Sequence, residues 1–567
     1  MAVLGGGIGG LSAAHELAER GFSVTVYEAR TAFGGKARSM PVPNSGTGGR
    51  GDLPAEHGFR FFPGFYRHLP DTMARIPSAT KPAKTVFDHL TATQEMAIMQ
   101  SGGRRELIAP TAPPGSLGAL EVAFKFMWDF ATGLGIEPAE LVFFFDKLLI
   151  LLCSCDERRY QQWDCISWWD YIEAADKSPA FQKFLATGLT RTLVAAQAKQ
   201  ISARTGGLIL CQLLLDMANG QHVDRVLDGP TSEVWIDPWI AHLKKLGVKF
   251  SLDAALSGIH CDGHRITKVT VHGPVAPVEV FAKNYVMAIP VERLRELVSD
   301  PLRAAEPRLA GLPRLVVRWM NGAMFYLRQD EPVVKGHIIL IDSPWALTAI
   351  SQKQFWPDVD LTARGDGTVH GILSVDISDW TEPGPRTGKV AMACNLTEIH
   401  NEVWGQITDA ITNKRIKSTN VASWFLDPDI QFPNPTSATN LEPLLINTAG
   451  SWADRPDAVT RIPNMFLASD YVRTYTDLAT MEGANEAARR AVNGILDATG
   501  SRKKRCQIWK LQEPWWLGPC RAADRLRWQL HLPARPAFRV NRRGQLTPAA
   551  PIARGIVETA RFAADRF

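Results

Sequence analysis

The residues whose types and spacing best suit chemistry form a run of glycines that begins at position 5. Gly5-Gly6-Gly7-Ile8-Gly9-Gly10 fits the pattern G-x-G-x-x-G, directly after a short apolar strand and at the start of a predicted helix. In such a turn the first glycine permits the tight bend, the second lets the backbone approach a pyrophosphate, and the last lets helix and strand pack closely. The positive end of the helix dipole then faces the phosphates. This run therefore predicts a dinucleotide site.

Charged residues follow the glycine run at positions where a dinucleotide needs them. Glu28 ends the second predicted strand, 18 residues after Gly10, where a carboxylate can accept both ribose hydroxyls. A carboxylate rather than an arginine there indicates an unphosphorylated adenine ribose, as in NAD or FAD. Arg30 and Lys36 then flank a pair of glycines, and a pyrophosphate needs such counter-charges.

Together these motifs resemble the flavin amine oxidase and phytoene (carotenoid) desaturase superfamily of FAD-dependent oxidoreductases. Members of that superfamily continue the glycine turn with E-A-x-x-x-x-G-G-R/K, which stands here as EARTAFGGK from Glu28 to Lys36. Near the other end, NMFLASD at 464–470 and MEGANEAARR at 481–490 are similar to the superfamily's F-L-A-G-D and S-M-E-G-A-x-x-S-G-R-R. The resemblance covers roughly residues 1–65, 225–295 and 460–500, and it implies one non-covalently bound FAD.

The resemblance also implies which residues contact the cofactor. Arg30 and Lys36 would lie along the diphosphate, Leu256 would meet the adenine, and Asp470 would hold the ribitol. The helix that opens at Met481 would aim backbone N–H groups at the flavin and stabilise the negative charge of its reduced form. The full predicted set is Gly5, Gly7, Ile8, Gly9, Gly10, Glu28, Ala29, Arg30, Gly35, Lys36, Ala37, Gly58, Phe59, Arg60, Leu256, Ala288, Asp470, Met481, Glu482 and Ala484.

The alternation of strands and helices around these motifs predicts an α/β fold with an α+β cap. We expect a discontinuous Rossmann-like FAD domain with a parallel sheet, formed by residues 1–80, 225–300 and 460–500. Residues 81–224 and 301–459 would form a substrate domain of mixed sheet and helices. Residues 501–567 would be a basic, tryptophan-containing C-terminal extension.

Five side chains near the motifs are candidates for an acid/base partner: His57, Arg60, Glu233, Tyr471 and Arg473. His57 stands beside Gly58, so a structural or flavin-contacting role is its alternative. Tyr471 follows the predicted ribitol aspartate, where its ring would flank the flavin. The eight cysteines are scattered without a C-x-x-C pair, and no histidine lies at metal-ligand spacing to them. We therefore predict no metal site.

The substrate is less closely defined by the sequence. No lysine occurs from 301 to 334, where amine oxidases of the superfamily place one near flavin N5, which counts against amine oxidation. The apolar run with Phe143–Phe145 and Leu148–Leu152, near Trp163, Trp168 and Trp169, is either a tunnel for a lipid-like molecule or a buried cap helix. The segment EHGFRFFPGFYR at 56–67 is similar to the corresponding segment of phytoene-desaturase-like and hydroxysqualene-dehydroxylase-like proteins.

We therefore predict an FAD-dependent dehydrogenase or desaturase that moves a hydride between flavin N5 and an allylic or activated carbon of a hydrophobic small molecule. A flavin amine oxidase is the enzymatic alternative, and a prenyl-binding escort protein on the same fold is the non-enzymatic one. No second G-x-G-x-x-G follows a strand, so no NAD(P)H domain is expected. Electrons would pass to oxygen or a quinone, or return to the substrate.

Charge is distributed unevenly along the chain. Residues 501–567 carry 15 Lys and Arg against four acids, a net charge of +11, which leaves −6 for residues 1–500. The main body is therefore not a nucleic-acid binder by charge. The tail is either a solvated basic surface or a contact to an anionic membrane or partner. The N-terminus has no positively charged segment before its glycine run, as a signal peptide would have. We therefore predict a cytoplasmic protein, with peripheral contact to a membrane as the alternative.

Overall fold

A computed structural model of the chain places a five-stranded parallel sheet within the segments predicted to bind the dinucleotide. The structure describes residues 1–110, 118–188, 196–218, 224–273, 275–411, 416–434, 437–542, 544–551 and 553–555. All neighbouring strands of this sheet run parallel. Their spatial order is Lys249–Ser251, Thr25–Tyr27, Ala2–Leu4, Tyr285–Met287 and Met465–Leu467. This is the discontinuous parallel sheet that the sequence predicts.

The strands of this sheet are short, and Ala2–Leu4, Tyr285–Met287 and Met465–Leu467 are apolar and completely buried, as in a parallel sheet covered by other elements. Ala2, Val3 and Leu4 are at most 2% exposed. The helix Ile8–Glu19 follows the first strand through the turn at Gly5, whose φ of 111° favours glycine. It packs beside the long helix Met481–Ala498. An antiparallel sheet of three strands extends the domain, with strands Ala255–Cys261, Ile266–His272 and Pro277–Val280.

A second, seven-stranded sheet forms the substrate domain. Its strands pair antiparallel, except that Gly336–Leu340 runs parallel to Glu95–Gln100. In spatial order they are Val421–Leu426, Asn321–Leu327, Gly371–Ile377, Thr348–Ser351, Gly336–Leu340, Glu95–Gln100 and Arg104–Pro110. Every residue of the central strand Gly371–Ile377 is buried, so any polar side chain on it must find a partner or face a cavity.

Helices complete the substrate domain, and the principal ones are Gly118–Gly133, Pro138–Cys153, Ala203–Ala218 and Leu396–Ala410. Phe144, Phe145 and Leu148 on the helix Pro138–Cys153 are completely buried. They belong to a buried apolar cluster, and the charged Asp146 and Lys147 are partly exposed, so the helix buries one apolar face in a core. The structure thus favours the buried cap helix over the tunnel for this segment. Among the described helices, none has both the length and the apolar character required to cross a bilayer.

The C-terminal extension lies against both domains. Its backbone at Trp509 donates to His68 Nε2 at 2.9 Å, and Arg67 and Arg489 each approach the Trp509 ring, at 5.3 Å from its centre. Further on, the helix Gly518–Gln529 and the hairpin Phe538–Val540/Leu546–Pro548 pack on the cap helix Pro138–Cys153. Its described part is therefore a strap across the molecule.

Shorter elements connect these parts. The strands are Ser39–Pro41, Pro54–Glu56, Phe62–Pro63, Leu90–Ala92, Asp224–Leu227, Val316–Arg318, Ile430–Asn434, Ser437–Asn440 and Leu444–Ile446. The short α-helices are His68–Met73, Asp156–Arg158, Trp168–Tyr171, Pro179–Phe181, Asp237–Lys245, Val291–Leu294, Asp300–Ala305 and Ser451–Asp454.

Candidate active site

One cavity of about 890 Å³ runs from the glycine turn into the substrate domain. All but three of the predicted cofactor contacts line it; the exceptions are Gly10, Gly58 and Glu482. We call the part of the cavity that these predicted contacts line the cofactor trough. The other end, which we call the apolar arm, is lined by Met96, Ile98, Phe126, Met127, Phe130, Leu185, Leu210, Leu213, Leu214, Ile339 and Ile341. Between the two lies a junction with titratable side chains: His57, Arg60, Asp224, His337 and Asp376.

The glycine turn has the shape of a phosphate cradle. A Cβ atom at Gly10 would lie 1.8 Å from the Gly5 carbonyl oxygen, so Gly10 serves the close packing of helix against turn and has no room for a side chain. A Cβ at Gly7 would meet nothing nearer than the Cα of Gly35 at 3.8 Å, and Gly7 lines the cavity. The free side of Gly7 therefore opens into the trough, at the N-terminus of the helix Ile8–Glu19.

Charged residues surround the same end of the trough. The Glu28 carboxylate accepts hydrogen bonds from the N–H groups of Gly6 at 2.7 Å and Arg30 at 2.9 Å. Burial raises the pKa of Glu28, although these hydrogen bonds oppose the shift. Arg30 donates to Asp429 at 2.8 Å and pairs with Glu442. Lys36 Nζ donates to the Pro443 carbonyl and lies 3.4 Å from Glu292.

The helix Met481–Ala498 also points its N-terminus at the trough, beside the glycine turn, since a Cβ at Gly9 would lie 3.7 Å from the Ala484 carbonyl oxygen. Met481 and Ala484 line the cavity beside Asp470, and the Thr480 hydroxyl caps the helix by accepting from the Gly483 N–H at 3.2 Å. Its first turn presents backbone N–H groups with no carboxylate between them and the cavity, because Glu482 turns away.

Glu482 is one predicted contact that does not line the cavity. Its carboxylate accepts from the backbone N–H groups of Arg67, His68 and Leu69, each at 2.8 Å, and it lies 2.7 Å from His68 Nδ1. These bonds outweigh the burial that opposes ionisation, so the pKa of Glu482 is lowered. Glu482 therefore holds the segment 67–69 against the helix.

Two of the five acid/base candidates reach the junction. His57 Nδ1 lies 2.5 Å from Asp427 Oδ2, which also accepts from the Asn321 side chain at 2.6 Å. Burial alone would raise the pKa of Asp427, but the charge of His57 and these hydrogen bonds lower it. Arg60 donates to the backbone carbonyls of Lys36 and Ala37. Burial lowers the pKa of Arg60, against the attraction of nearby carboxylates.

The other three candidates lie outside the cavity lining. Glu233 is half-exposed and pairs with Arg364 at 2.8 Å. Tyr471 is fully buried in the core of the FAD domain, and burial raises its pKa far above the ordinary value. Arg473 donates to the Trp452 carbonyl at 2.9 Å and stacks over that ring. The structure therefore gives Glu233, Tyr471 and Arg473 structural contacts rather than a place at the predicted site.

Three junction residues are not among the sequence candidates. Asp224, His337 and Asp376 all line the cavity, and His337 Nε2 lies 2.7 Å from Asp224 Oδ2. Burial raises the pKa of Asp376 to about 7, against the nearby charge of Arg60. A sequence signal existed for Asp376, since it interrupts the apolar strand GILSVDI. Asp224 and His337 carry no comparable local signal.

The structure also gathers three possible metal ligands. Ligand atoms of His57, Asp427 and Asp429 all lie within 4.8 Å of one another. However, Arg30 donates to Asp429, and Asn321 donates to Asp427. Because these donors and His57 compensate both carboxylates, the group is best described as an ion-pair network beside the trough.

The sequence of the chain decides its family. Residues 8–496 match flavin-containing amine oxidoreductases. The chain belongs to that family. As a flavin-containing amine oxidoreductase it is an FAD-dependent oxidoreductase, which confirms the superfamily, the enzyme class and the cofactor predicted from the sequence.

Individual relatives of this flavin-containing amine oxidoreductase are distant. It is 27% identical over 329 residues to the carotenoid phi-ring synthase of Chlorobaculum tepidum, a match to 56% of this chain that spans 45% of the synthase. It is 22% identical over 515 residues to the 15-cis-phytoene desaturase of Synechococcus elongatus, covering 88% of this chain and 95% of the desaturase.

Solved structures confirm the fold of this flavin-containing amine oxidoreductase. Putrescine oxidase bound to putrescine aligns with a TM-score of 0.58 at 13% identity, over 88% of this chain and 98% of the oxidase. The cyclohexylamine oxidase of Brevibacterium oxydans aligns with a TM-score of 0.58 at 15% identity, over 88% of this chain and 99% of the oxidase. At these identities the likeness shows the fold alone.

The trough of this flavin-containing amine oxidoreductase fits FAD. Gly7 leaves open space at a helix N-terminus, where a diphosphate would lie, and Glu28 stands at the strand end, where the adenosine ribose would lie. Asp470 and the helix N-terminus at Met481 line the same cavity. When bound, FAD supplies hydride acceptance or donation at its ring; the chain supplies binding, orientation and a dry pocket.

Proposed function

We propose that this oxidoreductase transfers a hydride between flavin N5 and an allylic or activated carbon of a hydrophobic small molecule, such as a polyene or an isoprenoid. One observation carries the proposal, namely the continuity of the cofactor trough with the apolar arm in a single cavity. Such an arm suits a long hydrocarbon chain, because each buried methylene contributes about 0.8 kcal/mol to binding. A reacting C–H bond would then be held in a pocket from which water is excluded.

The walls of the arm support an aliphatic ligand. Among the described residues, every cavity-lining side chain on the helices Gly118–Gly133 and Ala203–Ala218 is apolar. Met96, Ile98 and Ile339 form the floor on one face of the seven-stranded sheet, where Met96 lies opposite His337 and Ile98 opposite Ile339. Thr348 also lines the cavity, where it lies opposite both Ile339 of the arm and Asp376 of the junction. The described side chains assigned to the arm are all apolar, so the arm would select mainly by shape and length.

A relative of this chain acts on such a compound by name. The 15-cis-phytoene desaturase matches nearly the whole chain, although 22% identity is too low to transfer its substrate. Its name supports the class of substrate, a long apolar polyene.

Amine oxidation is the second candidate, because one observation favours it. Asp224 and Asp376 line the junction and would attract an ammonium group. Against it, Lys36 is the single lysine among the described residues that line the cavity, and it lies at the diphosphate end. Amine oxidases of the superfamily carry a lysine near flavin N5 instead.

The test is anaerobic mixing of the FAD-loaded protein with phytoene in liposomes, an isoprenoid alcohol, putrescine and cyclohexylamine. Loss of the flavin absorbance with phytoene or the isoprenoid alcohol, and not with the amines, is the expected result. Bleaching by the amines alone would replace the proposal by amine oxidation. Oxygen is then readmitted, or a quinone is added in the absence of oxygen. The compound that restores the flavin absorbance is the electron acceptor.

We also propose that the strap supplies a peripheral contact to an anionic membrane. On and beside the helix Gly518–Gln529, Leu526 and Leu530 are 59% exposed and Trp515 is 83% exposed. The extension is strongly basic, and its acids Glu513 and Asp524 pair with Arg159 and Arg158. Exposed apolar side chains next to cations suit an anionic lipid surface. Replacing Leu526 and Leu530 by Gln should reduce sedimentation with phosphatidylserine vesicles, and unchanged sedimentation would refute the contact.

A further inference from the structure

A buried histidine–carboxylate pair faces the cavity where the arm meets the trough. His337 lies on the strand Gly336–Leu340 and Asp224 begins the strand Asp224–Leu227. Their side chains approach to 2.7 Å between Nε2 and Oδ2, with 9% and 6% of the two residues exposed. Both residues line the cavity. A buried, coupled pair of this kind in a cleft is a common arrangement for proton transfer.

The surroundings fix the orientation of the imidazole. The rings of Phe59 and Phe61 pack against His337, each with its centre 5.2 Å from the centre of the imidazole. His337 Nε2 lies 2.7 Å from Asp224 Oδ2 without the alignment of a hydrogen bond. The charge of the nearby carboxylate favours the proton of the neutral ring on Nε2, which leaves the unshared pair at Nδ1. Among the described residues no side chain or backbone group bonds to Nδ1. His337 therefore offers a free acceptor nitrogen.

The other junction groups present no accessible acceptor atom. Arg60 has none, and its guanidinium donates to the carbonyls of Lys36 and Ala37. His57 Nδ1 lies 2.5 Å from Asp427 Oδ2, and its Nε2 has no partner but is completely buried. Asp376 accepts the backbone N–H of Phe59, and its unpartnered Oδ1 is also completely buried. Among the described junction groups, His337 thus combines a nearby carboxylate with an acceptor nitrogen, Nδ1, that does not belong to these completely buried atoms.

We propose that His337, oriented by Asp224, accepts the proton that the substrate loses when a double bond forms. The inference rests on the proposed function. One C–H bond of the substrate breaks and its electron pair leaves as hydride to the flavin. The C–H bond on the neighbouring carbon also breaks, its electrons form the new C=C bond, and its proton passes to His337 Nδ1. Asp224 stabilises the imidazolium, which then releases the proton to solvent. His337 is a catalytic residue and Asp224 a positioning residue.

The kinetic test uses phytoene in liposomes and follows the loss of flavin absorbance without oxygen. His337→Gln should lower the limiting rate by about 10²- to 10⁴-fold, the usual contribution of a general base, with the half-saturating phytoene concentration unchanged. The pH profile of the limiting rate should differ between the wild type and His337→Gln, and identical profiles would count against the assignment. Asp224, Asp376 and Arg60 also face this site but are unchanged in the variant, so a changed profile is assigned to His337.

Variants of Asp224 separate positioning from folding. Asp224→Asn keeps the shape but removes the charge, so we expect a rate at least about tenfold lower at unchanged FAD content. Asp224→Glu, which restores the charge, should recover part of that rate. A wild-type rate in His337→Gln, or equal rates in Asp224→Asn and wild type, would overturn the assignment.

The chain provides a matched control. His89 Nδ1 lies 2.6 Å from Asp228 Oδ1, and both residues are buried, yet neither lines the cavity. His89→Gln breaks an equivalent pair at a distance from the proposed site. We expect it to leave the limiting rate within about twofold of wild type. FAD content and Tm of both variants show whether the fold survives.

An independent readout needs no turnover. The FAD-loaded wild-type protein is treated with 1-bromo-2-dodecanone, whose apolar tail suits the arm. An accepting Nδ1 displaces bromide and forms an N–C bond, so peptide mass spectrometry should find the adduct on His337, formed more slowly in Asp224→Asn and absent from His89. No adduct on His337 would overturn the inference. Labelling of His337 in a protein that phytoene does not bleach would instead refute the proposed substrate and leave the open nitrogen in place.

Discussion

Gly9 and Ala468 approach so closely that a Cβ atom at Gly9 would lie 2.0 Å from the Ala468 carbonyl oxygen. Gly9 stands in the first turn of the helix Ile8–Glu19, and Ala468 follows the strand Met465–Leu467. Because residues from opposite ends of the chain meet here, this contact closes the floor of the trough. The glycines of the turn therefore serve two purposes, close packing at Gly9 and access for the cofactor at Gly7.

The first prediction separates these two purposes. Gly9→Ala must push a methyl group into backbone, so we expect a loss of about 2 kcal/mol or more in the free energy of unfolding. Gly7→Ala places its methyl group in the open trough, so the apoprotein should lose no more than about 1 kcal/mol. Its FAD affinity should nevertheless fall at least about tenfold, because the methyl group occupies the phosphate cradle.

Urea denaturation of the apoproteins and calorimetric titration with FAD measure both effects. A Gly7→Ala protein that binds FAD as the wild type does would show that the diphosphate lies elsewhere. A Gly9→Ala protein as stable as the wild type would contradict the backbone contact.

The FAD domain could be predicted because its signals are local. A three-residue apolar strand, a glycine turn and an acid at a fixed distance define Ala2–Leu4, the helix from Ile8 and Glu28 without any long-range contact. The helix predicted to open at Met481 does begin there. In each of these places local propensity and the tertiary fold agree.

The junction could not be predicted because long-range pairing builds it. Residues 90–100 bring Asp224 and His337 together. The Thr93 N–H donates to the Asp224 carbonyl, and the next N–H, of Gln94, donates to the Lys335 carbonyl. No periodicity in a single sequence encodes that pairing. Similarly, an apolar helix has the same composition whether it lines a tunnel or fills a core, so Pro138–Cys153 could not be assigned from its pattern.

The second prediction concerns pH. Asp216, on the helix Ala203–Ala218, accepts the backbone N–H of Phe65, and burial raises its pKa to about 7. Between about pH 4 and pH 7 the folded protein thus keeps a proton that the unfolded chain has lost, so this group's contribution to stability falls as pH rises. Asp216→Asn should stabilise the protein, by about 2 to 3 kcal/mol more at pH 8 than at pH 5, at about 1.4 kcal/mol per pKa unit.

Urea denaturation of the FAD-saturated protein at the two pH values checks this. Asp300→Asn is the control, since the Asp300 side chain is 91% exposed and should show no such pH difference. An equal change in stability at both pH values for Asp216→Asn would show that Asp216 is ionised throughout.

The third prediction concerns the attachment of the strap. Asp524 accepts from Arg158 Nε at 3.0 Å and from the Cys155 N–H at 2.9 Å, and the Arg158 side chain is only 2% exposed. Asp524→Ala leaves a buried guanidinium without its counter-charge, which costs about 3 to 5 kcal/mol. Asp497 pairs with Arg505 on the surface, so Asp497→Ala should cost less than about 1 kcal/mol. Guanidinium denaturation curves measure the free energy of unfolding of both variants. If Asp524→Ala loses no more stability than Asp497→Ala, the attachment of the strap contributes little to the stability of the protein.

The fourth prediction tests the apolar arm. Leu213 lines the cavity from the helix Ala203–Ala218, so a larger side chain there extends into free space instead of into the core. We expect Leu213→Trp to weaken phytoene binding at least about tenfold while the FAD content stays unchanged, because the indole shortens the space for a long chain. A short isoprenoid alcohol should bind as before, since it does not reach the blocked part.

Leu213→Met is the matched control, because it keeps the volume and apolar character of the side chain and should bind phytoene normally. Both affinities can be measured by quenching of tryptophan fluorescence in the wild type and in Leu213→Met, and by equilibrium partition from liposomes in Leu213→Trp. If Leu213→Trp binds phytoene and the short alcohol with unchanged affinity, the hydrocarbon lies outside the arm. The arm would then be a packing defect of the cap, and the case for an aliphatic substrate would lose the observation on which it depends.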